Sequence, residues 1–300
     1  MTVGFAGLGL MGAELARHLL AAHGELKVWN RDLAKVEALI AIGVEMAESP
    51  KALAEACDTI HLSLLDTHAV TAVAKGPDGL LEAFGRPGAT IIDHSTISVP
   101  ETRDLADAAR RSGWDWVDAP VSGGSAGAKV GQLTVFIGGA PDAAERAATA
   151  CAPFARQVSI MGLSGAGQAT KAANQLIVGG TFLLLAEAAV LAESNGVETA
   201  RLPDVLAGGF ADSTLLRTQL PRMVQSGGAV QGTAAVMLKD LDLVADLAKS
   251  SGTRTELTEL AHAIWTAHVD SGFGHRDWTA IIERVRTASR ETPLQGGGFA

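Results

Sequence analysis

Apolar positions change their rhythm about half-way along the chain. In the first half, short apolar runs alternate with longer amphipathic stretches. Thr2–Ala6 reads as a strand, a helical pattern runs to about His23, and a second strand follows at Leu26–Trp29. Helical patterns over Leu33–Ile42, Pro50–Ala56 and Pro100–Arg111 then alternate with strand-like runs at Thr59–Leu64, Ala89–Ile92 and Asp115–Val117. Gln132–Ile137, a helix from Pro141 and a strand near Val158–Met161 continue the series. Such alternation predicts a mostly parallel sheet covered by helices. From about Gly162 the period is helical throughout: a long alanine- and leucine-rich run to about Glu193, then Leu202–Ala207, Ser213–Leu220, Ala234–Lys249, Glu256–Val269 and Trp278–Val285. Residues 286–300 are polar and glycine-rich and read as a frayed tail.

The first strand runs into Gly7-Leu8-Gly9-Leu10-Met11-Gly12 and then a helix. A GxGxxG at this place in the first strand–helix–strand unit is the signature of a dinucleotide site. Gly7 makes the tight turn, Gly9 lets backbone approach a pyrophosphate, and Gly12 permits close helix–strand packing, with the helix N-terminus facing the phosphates. The expected fold is therefore α/β: a Rossmann-type dinucleotide-binding domain over residues 1–162, followed by an all-α domain over residues 163–300, joined by the long helix. NAD-binding folds usually end the second strand on an acidic residue; here Asn30 holds that place and Arg31 follows. An arginine holds a 2′-phosphate by paired hydrogen bonds, which favours NADP over NAD, although Asp32 would repel a phosphate or itself serve as the ribose acceptor. In an open parallel sheet ligands bind beyond the carboxyl ends of strands, where Leu64, Leu65, Thr96 and Asp118 fall.

Composition narrows the function classes. A hydrophobic content of 47% supports a substantial core, and a mean hydropathy of +0.22 points to some apolar surface buried between subunits; the apolar long helix suggests a homodimer or homotetramer, a monomer with a fully wrapped core being the alternative. A net charge of -9 disfavours nucleic acid and anionic membranes as partners. Cys57 and Cys151 form no ligand-spaced pair, so a reducing, cytoplasmic setting is expected. The first strand leaves no room for a signal peptide, and the apolar run Leu176–Ala186, closed by Glu187, is too short to span a bilayer. The chain has no tyrosine, which excludes a tyrosine acid or base, and its scattered histidines predict no metal site; His61 and His94 read as structural.

Three further stretches carry candidate chemistry. In Asp118-Ala-Pro-Val-Ser122-Gly123-Gly124, the glycines allow successive N–H groups to form an anion nest and Ser122 adds a hydroxyl, a cradle for a small carboxylate; the alternative is a flexible link. In Gly165-Ala-Gly-Gln-Ala-Thr-Lys171-Ala-Ala-Asn174-Gln175, a lysine and two amides share one face of an otherwise apolar helix. Either Lys171 snorkels to the surface or it serves catalysis. In Lys239-Asp-Leu-Asp242-Leu-Val-Ala-Asp246, Lys239 and Asp246 lie two turns apart on one face, and an exposed pair of Lys239 with Asp242 is the plainer reading.

Together GLGLMG, DAPVSGG, GAGQATKAANQ and KDLDLVAD, in this order over nearly the whole chain, resemble the β-hydroxyacid dehydrogenase family. The resemblance implies that Lys171 is catalytic, that Ser122, Gly123 and Gly124 hold the substrate carboxylate, and that Asn174 and Gln175 share an amide role beside it. It also implies that Thr96 and Lys239 lie near the nicotinamide and that Asp246 supports Lys239. The implied reaction interconverts a short 3-hydroxy acid and its semialdehyde or ketone with NAD(P). Lys171 takes or gives the hydroxyl proton, for which an amine ordinarily near about 10.4 must titrate lower. Alternatives are an imine reductase on the same scaffold, disfavoured by the carboxylate cradle, and a non-catalytic NADP-binding sensor.

Overall fold

The computed structural model describes residues 2–225 and 228–291. The chain forms two compact units, Met1–Ala172 and Ala173–Ala300, divided within the long helix.

Unit one contains β1 (Val3–Ala6), α1 (Gly12–His23), β2 (Lys27–Trp29), α2 (Leu33–Ile40), β3 (Glu45–Met46), α3 (Pro50–Ala56), β4 (Thr59–Leu62), α4 (Thr67–Lys75), β5 (Thr90–Asp93), α5 (Val99–Arg111), β6 (Asp115–Asp118), β7 (Val121–Ser122), α6 (Gly124–Lys129), β8 (Leu133–Gly138), α7 (Pro141–Cys151) and β9 (Ala155–Gly162). Among the described residues they build one sheet in the order β3-β2-β1-β4-β5-β6-β8-β7, with β9 also on β8. The pairings from β3 across to β6 are parallel; β8 then runs antiparallel to β6 and β7. β1, β4 and β5 are buried along their length, as expected of parallel strands covered on both faces. One layer packs Phe5, Leu15, Leu19, Val117, Val135 and Phe154; the other packs Leu53, Ile60, Leu62, Val70, Leu105 and Trp116.

Local sequence explains most helix starts. The side chains of Asp32, Ser49, Asp66 and Ser98 accept from backbone N–H groups in the first turns of α2, α3, α4 and α5. Four elements of this unit are not foreshadowed by the sequence pattern: β3, α4, β7 and α6. The α4 segment mixes valine and threonine into a weak helix former, and the Asp66 cap starts it. The α6 segment is small residues up to Lys129, so it carries no periodic hydrophobic signal.

Unit two continues the long helix α8 (Ala166–Ser194), followed by α9 (Leu202–Val205), α10 (Thr214–Gln225), α11 (Ala234–Ser251), α12 (Glu256–His268) and α13 (Ile281–Glu291). Phe182, Leu185 and Ala189 of α8 pack with Leu220, Met237, Leu241, Trp265 and Ile281. Gly179 lets α11 approach: a Cβ there would lie 3.0 Å from the Leu241 side chain, and its carbonyl accepts from the Trp265 indole at 3.2 Å. At 29 residues, α8 is long and apolar enough by length and composition to cross a membrane, which corrects the shorter run read from the sequence. One of its faces is nevertheless committed to the core of unit two. The polar tail expected from residue 286 is also corrected, because α13 runs to Glu291; residues 292–300 lie outside the described residues.

Candidate active site

The glycine turn after β1 is fixed by steric need. Gly7 has φ +99°, and a Cβ on it would fall 2.3 Å from the Ser63 carbonyl oxygen. A Cβ on Gly12 would fall 1.9 Å from the Gly7 carbonyl oxygen. At Gly9 a Cβ would meet nothing within 4 Å, which leaves open space where backbone faces solvent. Leu8 is buried, Met11 half-buried and Leu10 is 66% exposed. Because β1 lies between β2 and β4, the turn sits where the strand order reverses. Leu64 and Leu65 follow β4 there, with Leu65 65% exposed, and Thr96 follows β5 half-buried. A glycine-walled turn, free space at its middle glycine and an apolar rim suit a dinucleotide.

Asn30 has a role the sequence did not reveal. Its Oδ1 accepts from the Leu8 N–H at 2.8 Å, and its Nδ2 donates to the Asp32 carbonyl at 2.8 Å. The amide therefore braces the glycine turn against the end of β2. Asp32 caps α2, accepting from Ala34 N–H at 3.2 Å, and lies 4.0 Å from Lys35. Arg31 is exposed and forms no ion pair among the described residues.

A buried carboxylate joins two of the sequence motifs. Asp118, at the end of β6, accepts from Gly165 N–H at 2.8 Å through Oδ1 and from Gln168 N–H at 2.9 Å through Oδ2. It is fully buried and caps the start of α8 from a distance in sequence that no local signal could show. Burial pushes its carboxyl up to about 6, against the lowering effect of the surrounding backbone N–H groups of Gly165, Gln168 and Gly167. Gly167 and Gly138 make room: a Cβ on Gly167 would lie 2.4 Å from the Phe136 carbonyl oxygen, and one on Gly138 2.7 Å from both Asp118 carboxylate oxygens. Lys171, one turn beyond Gln168, is only 7% exposed, so it does not snorkel. Four residues after Asp118, Ser122 ends β7 half-buried, and Gly123 and Gly124 take positive φ of 127° and 61° as α6 begins. The glycine loop is thus an ordered turn into a helix, with backbone N–H groups at its start.

Behind these loops lies a buried histidine pair. His94 Nδ1 is 2.9 Å from the Ala119 carbonyl oxygen, and His61 Nδ1 is 2.9 Å from His94 Nε2. The carbonyl can only accept, so His94 carries its proton on Nδ1, accepts on Nε2, and receives the His61 Nδ1–H. Phe5 and Phe154 pack around the two rings. Burial holds His61 well below the usual imidazole range and His94 down at about 4.

Unit two holds a polar network of its own. Asn174 Nδ2 donates to Gln175 Oε1 at 2.7 Å, Gln175 Nε2 donates to Asp240 Oδ2 at 2.6 Å, and the Lys239 ammonium lies 2.8 Å from Asp240 Oδ1. The carboxylate beside Lys239 is thus that of its neighbour Asp240, while Asp246, expected from the resemblance to support Lys239, lies exposed further along α11. Seven residues of helix separate them by about 10 Å of rise, whereas Asp240 is adjacent. Asp242, the plainer partner expected for Lys239, meets His262 at 2.6 Å.

Known families also match the chain in two parts, which meet just before the long helix. Residues 2–162 match the NAD binding domain of 6-phosphogluconate dehydrogenase, and residues 165–285 match the domain described as NAD-binding of NADP-dependent 3-hydroxyisobutyrate dehydrogenase. A 2-hydroxy-3-oxopropionate reductase of Escherichia coli is 32% identical over 95% of this chain and 97% of its own. A 2-(hydroxymethyl)glutarate dehydrogenase of Eubacterium barkeri is 31% identical over 94% of this chain and 93% of its own. The chain belongs to the β-hydroxyacid dehydrogenase family.

A solved relative from that family, the 3-hydroxyisobutyrate dehydrogenase of Mycobacterium tuberculosis with L-serine, superposes with a TM-score of 0.83 at 30% identity, covering 95% of this chain and 99% of its own. An imine reductase of a Pseudomonas species, at 22% identity and a TM-score of 0.61, shares the fold. As a β-hydroxyacid dehydrogenase the chain is an oxidoreductase that uses NAD or NADP on short hydroxy acids or semialdehydes. Lys171, Ser122 and the glycine turn stand out in the sequence, whereas Asp118 as a cap, Gln168 and Asp240 do not. Each of these acts through a partner distant in sequence or through the immediately adjacent side chain.

Proposed function

We propose that this β-hydroxyacid dehydrogenase interconverts a short 3-hydroxy carboxylate and its semialdehyde, with Lys171 as general acid/base and NADP preferred to NAD. The observation that carries the reading is the burial of Lys171 at 7% exposure, one turn beyond the α8 start that Asp118 caps. An ammonium set into an apolar helix and fixed from below by a second motif is poorly explained as a surface charge.

In this reading Gly7–Gly12 and the start of α1 hold the pyrophosphate, and Arg31 meets a 2′-phosphate. Leu64, Leu65 and Thr96 line the path towards the nicotinamide, whose C4 exchanges a hydride with the substrate when the cofactor is bound. Ser122 and the N–H groups at Gly123 and Gly124 bind the carboxylate. Neutral Lys171 takes the 3-hydroxyl proton during oxidation and its ammonium returns a proton during reduction. Acids of the kind for which the relatives are named, 3-hydroxyisobutyrate and 2-hydroxy-3-oxopropionate, fit this reading.

Two features support a setting and an assembly. Cys57 and Cys151 are free and buried, which favours the cytoplasm. Ile177, Leu184 and Leu191 stand exposed at heptad spacing along α8, which favours a homodimer or homotetramer.

An NAD(P)-linked screen of short 3-hydroxy acids and semialdehydes, with a cyclic imine beside them, tests the reading. Turnover of a hydroxy acid that falls at least about a hundredfold in Lys171→Met, with cofactor binding retained, is expected. Turnover of the imine alone, or cofactor binding without turnover, would sink it.

A further inference from the structure

Gln168 stands out among the buried polar groups that the reaction as described leaves unused. Its side chain is 2% exposed, in the first turn of α8. Its Oε1 accepts from the Ile97 N–H at 3.2 Å, and its Nε2 donates to the Ser95 carbonyl at 2.8 Å. One amide therefore grips the backbone on both sides of Thr96. The gripped segment is itself anchored: Ser95 N–H donates to Asp93 Oδ1 at 2.9 Å, and Ser95 Oγ accepts from Leu64 N–H at 2.9 Å. At its other end, the Gln168 main-chain N–H is held by Asp118.

Filling this position needs only volume, which a methionine or leucine supplies without burying an amide. An amide buried with both ends satisfied fixes a direction and a register that apolar packing leaves looser. The register in question is between the loop after β5 and the helix turn that carries Lys171, three residues on. We propose that Gln168 is a positioning residue, which sets Lys171 against the Thr96 loop so that proton and hydride transfer are aligned. The proposal rests on the hydroxy-acid reading above. Its physical basis is that near-attack alignment is sensitive to displacements of about 1 Å, which cost about a hundredfold in rate.

Gln168→Met keeps the volume and removes both hydrogen bonds, and Gln168→Glu keeps the acceptor for Ile97 N–H and alters the donor. The wild-type full chain is first assayed with the hydroxy acid it turns over. The expected result is a fall in kcat of about ten- to a hundredfold for Gln168→Met, with KM for the hydroxy acid and Kd for NADP within about threefold. The deuterium isotope effect from substrate labelled at the hydroxyl-bearing carbon should rise, and Gln168→Glu should fall between the two proteins. A merely structural amide would lower the unfolding midpoint while the folded protein kept its kcat and isotope effect, and that result overturns the proposal while leaving Lys171 in place. Should Gln168→Met fail to fold, Gln168→Glu decides alone: kcat within about threefold of wild type, with an unchanged isotope effect, overturns it. A wild-type chain that turns over no hydroxy acid, while Lys171→Met changes nothing, overturns the functional reading and the positioning role together.

Discussion

Gln175 on α8 and Asp240 on α11 are joined by a 2.6 Å hydrogen bond, with the Lys239 ammonium 2.8 Å from the other oxygen of the same carboxylate. Asp240 is buried, so removing it takes a charged partner from the Gln175 amide and the Lys239 ammonium together. Asp240→Ala should cost about 3 kcal/mol in urea unfolding, whereas Asp246→Ala, at an exposed position, should stay within about 0.5 kcal/mol. Equal losses in the two variants would return to Asp246 the support expected of it from the motif.

Asp118 carries a pH signature with a definite sign. Burial raises its carboxyl to about 6 in the folded chain, above its usual value of about 3.9 when unfolded. Between those values the folded state holds more protons, so this group makes stability fall as pH rises and adds no further change above about 6. Asp118→Asn removes the titration but turns an amide NH₂ towards one of two backbone donors, at a cost of about 1–3 kcal/mol. The deficit of the variant should therefore be largest near pH 4 and shrink towards pH 6.5, read by denaturant unfolding across that range. A deficit that grows with pH would mean that the carboxyl is held low.

The histidine pair works in the opposite direction. His61 and His94 are both held below the ordinary imidazole range, so the unfolded chain binds more protons as pH falls from about 6.5. Their contribution is fully present above about pH 6.5 and is lost down to the His94 value of about 4. A proton added to His94 Nε2 would face the His61 Nδ1–H, so both hydrogen bonds cannot survive protonation. His61→Phe should flatten the acid loss of stability between pH 6.5 and 4.5, and an unchanged slope would show that other groups carry it.

Much of this was legible along the chain. Gly7, Gly9 and Gly12 announce their jobs because each job is local steric geometry, and Lys171 stands out because a cation in an apolar helix breaks the pattern. What stayed hidden depends on tertiary partners. Asp118 accepts from a helix-start N–H 47 residues later, and Gln168 grips backbone more than 70 residues earlier, so neither has a sequence period. Asn30 sits where an acid was expected, but only the fold shows its amide holding Leu8. At Lys239 the helical spacing pointed two turns along the face, while the side chain bends to its neighbour Asp240. The α6 turn escaped because glycine, serine and alanine leave no hydrophobic face to read.

In the proposed reading cofactor choice rests on Arg31, whose guanidinium is exposed while its neighbours are occupied: Asn30 braces the glycine turn and Asp32 caps α2. A 2′-phosphate offers that guanidinium a charge-assisted pair worth about 1.5–3 kcal/mol, roughly ten- to a hundredfold in affinity, whereas a ribose hydroxyl offers little to a cation. Arg31→Ala should raise Kd for NADP by about that factor and leave Kd for NAD within about threefold. Because the site is open to solvent, the NADP affinity of the wild type should also weaken from low salt to about 0.15 M, where screening acts over about 8 Å, more than its NAD affinity does. In Arg31→Ala the two salt slopes should converge. Titration of both cofactors at two ionic strengths reads all four constants; parallel slopes in the wild type would take the phosphate-binding role away from Arg31.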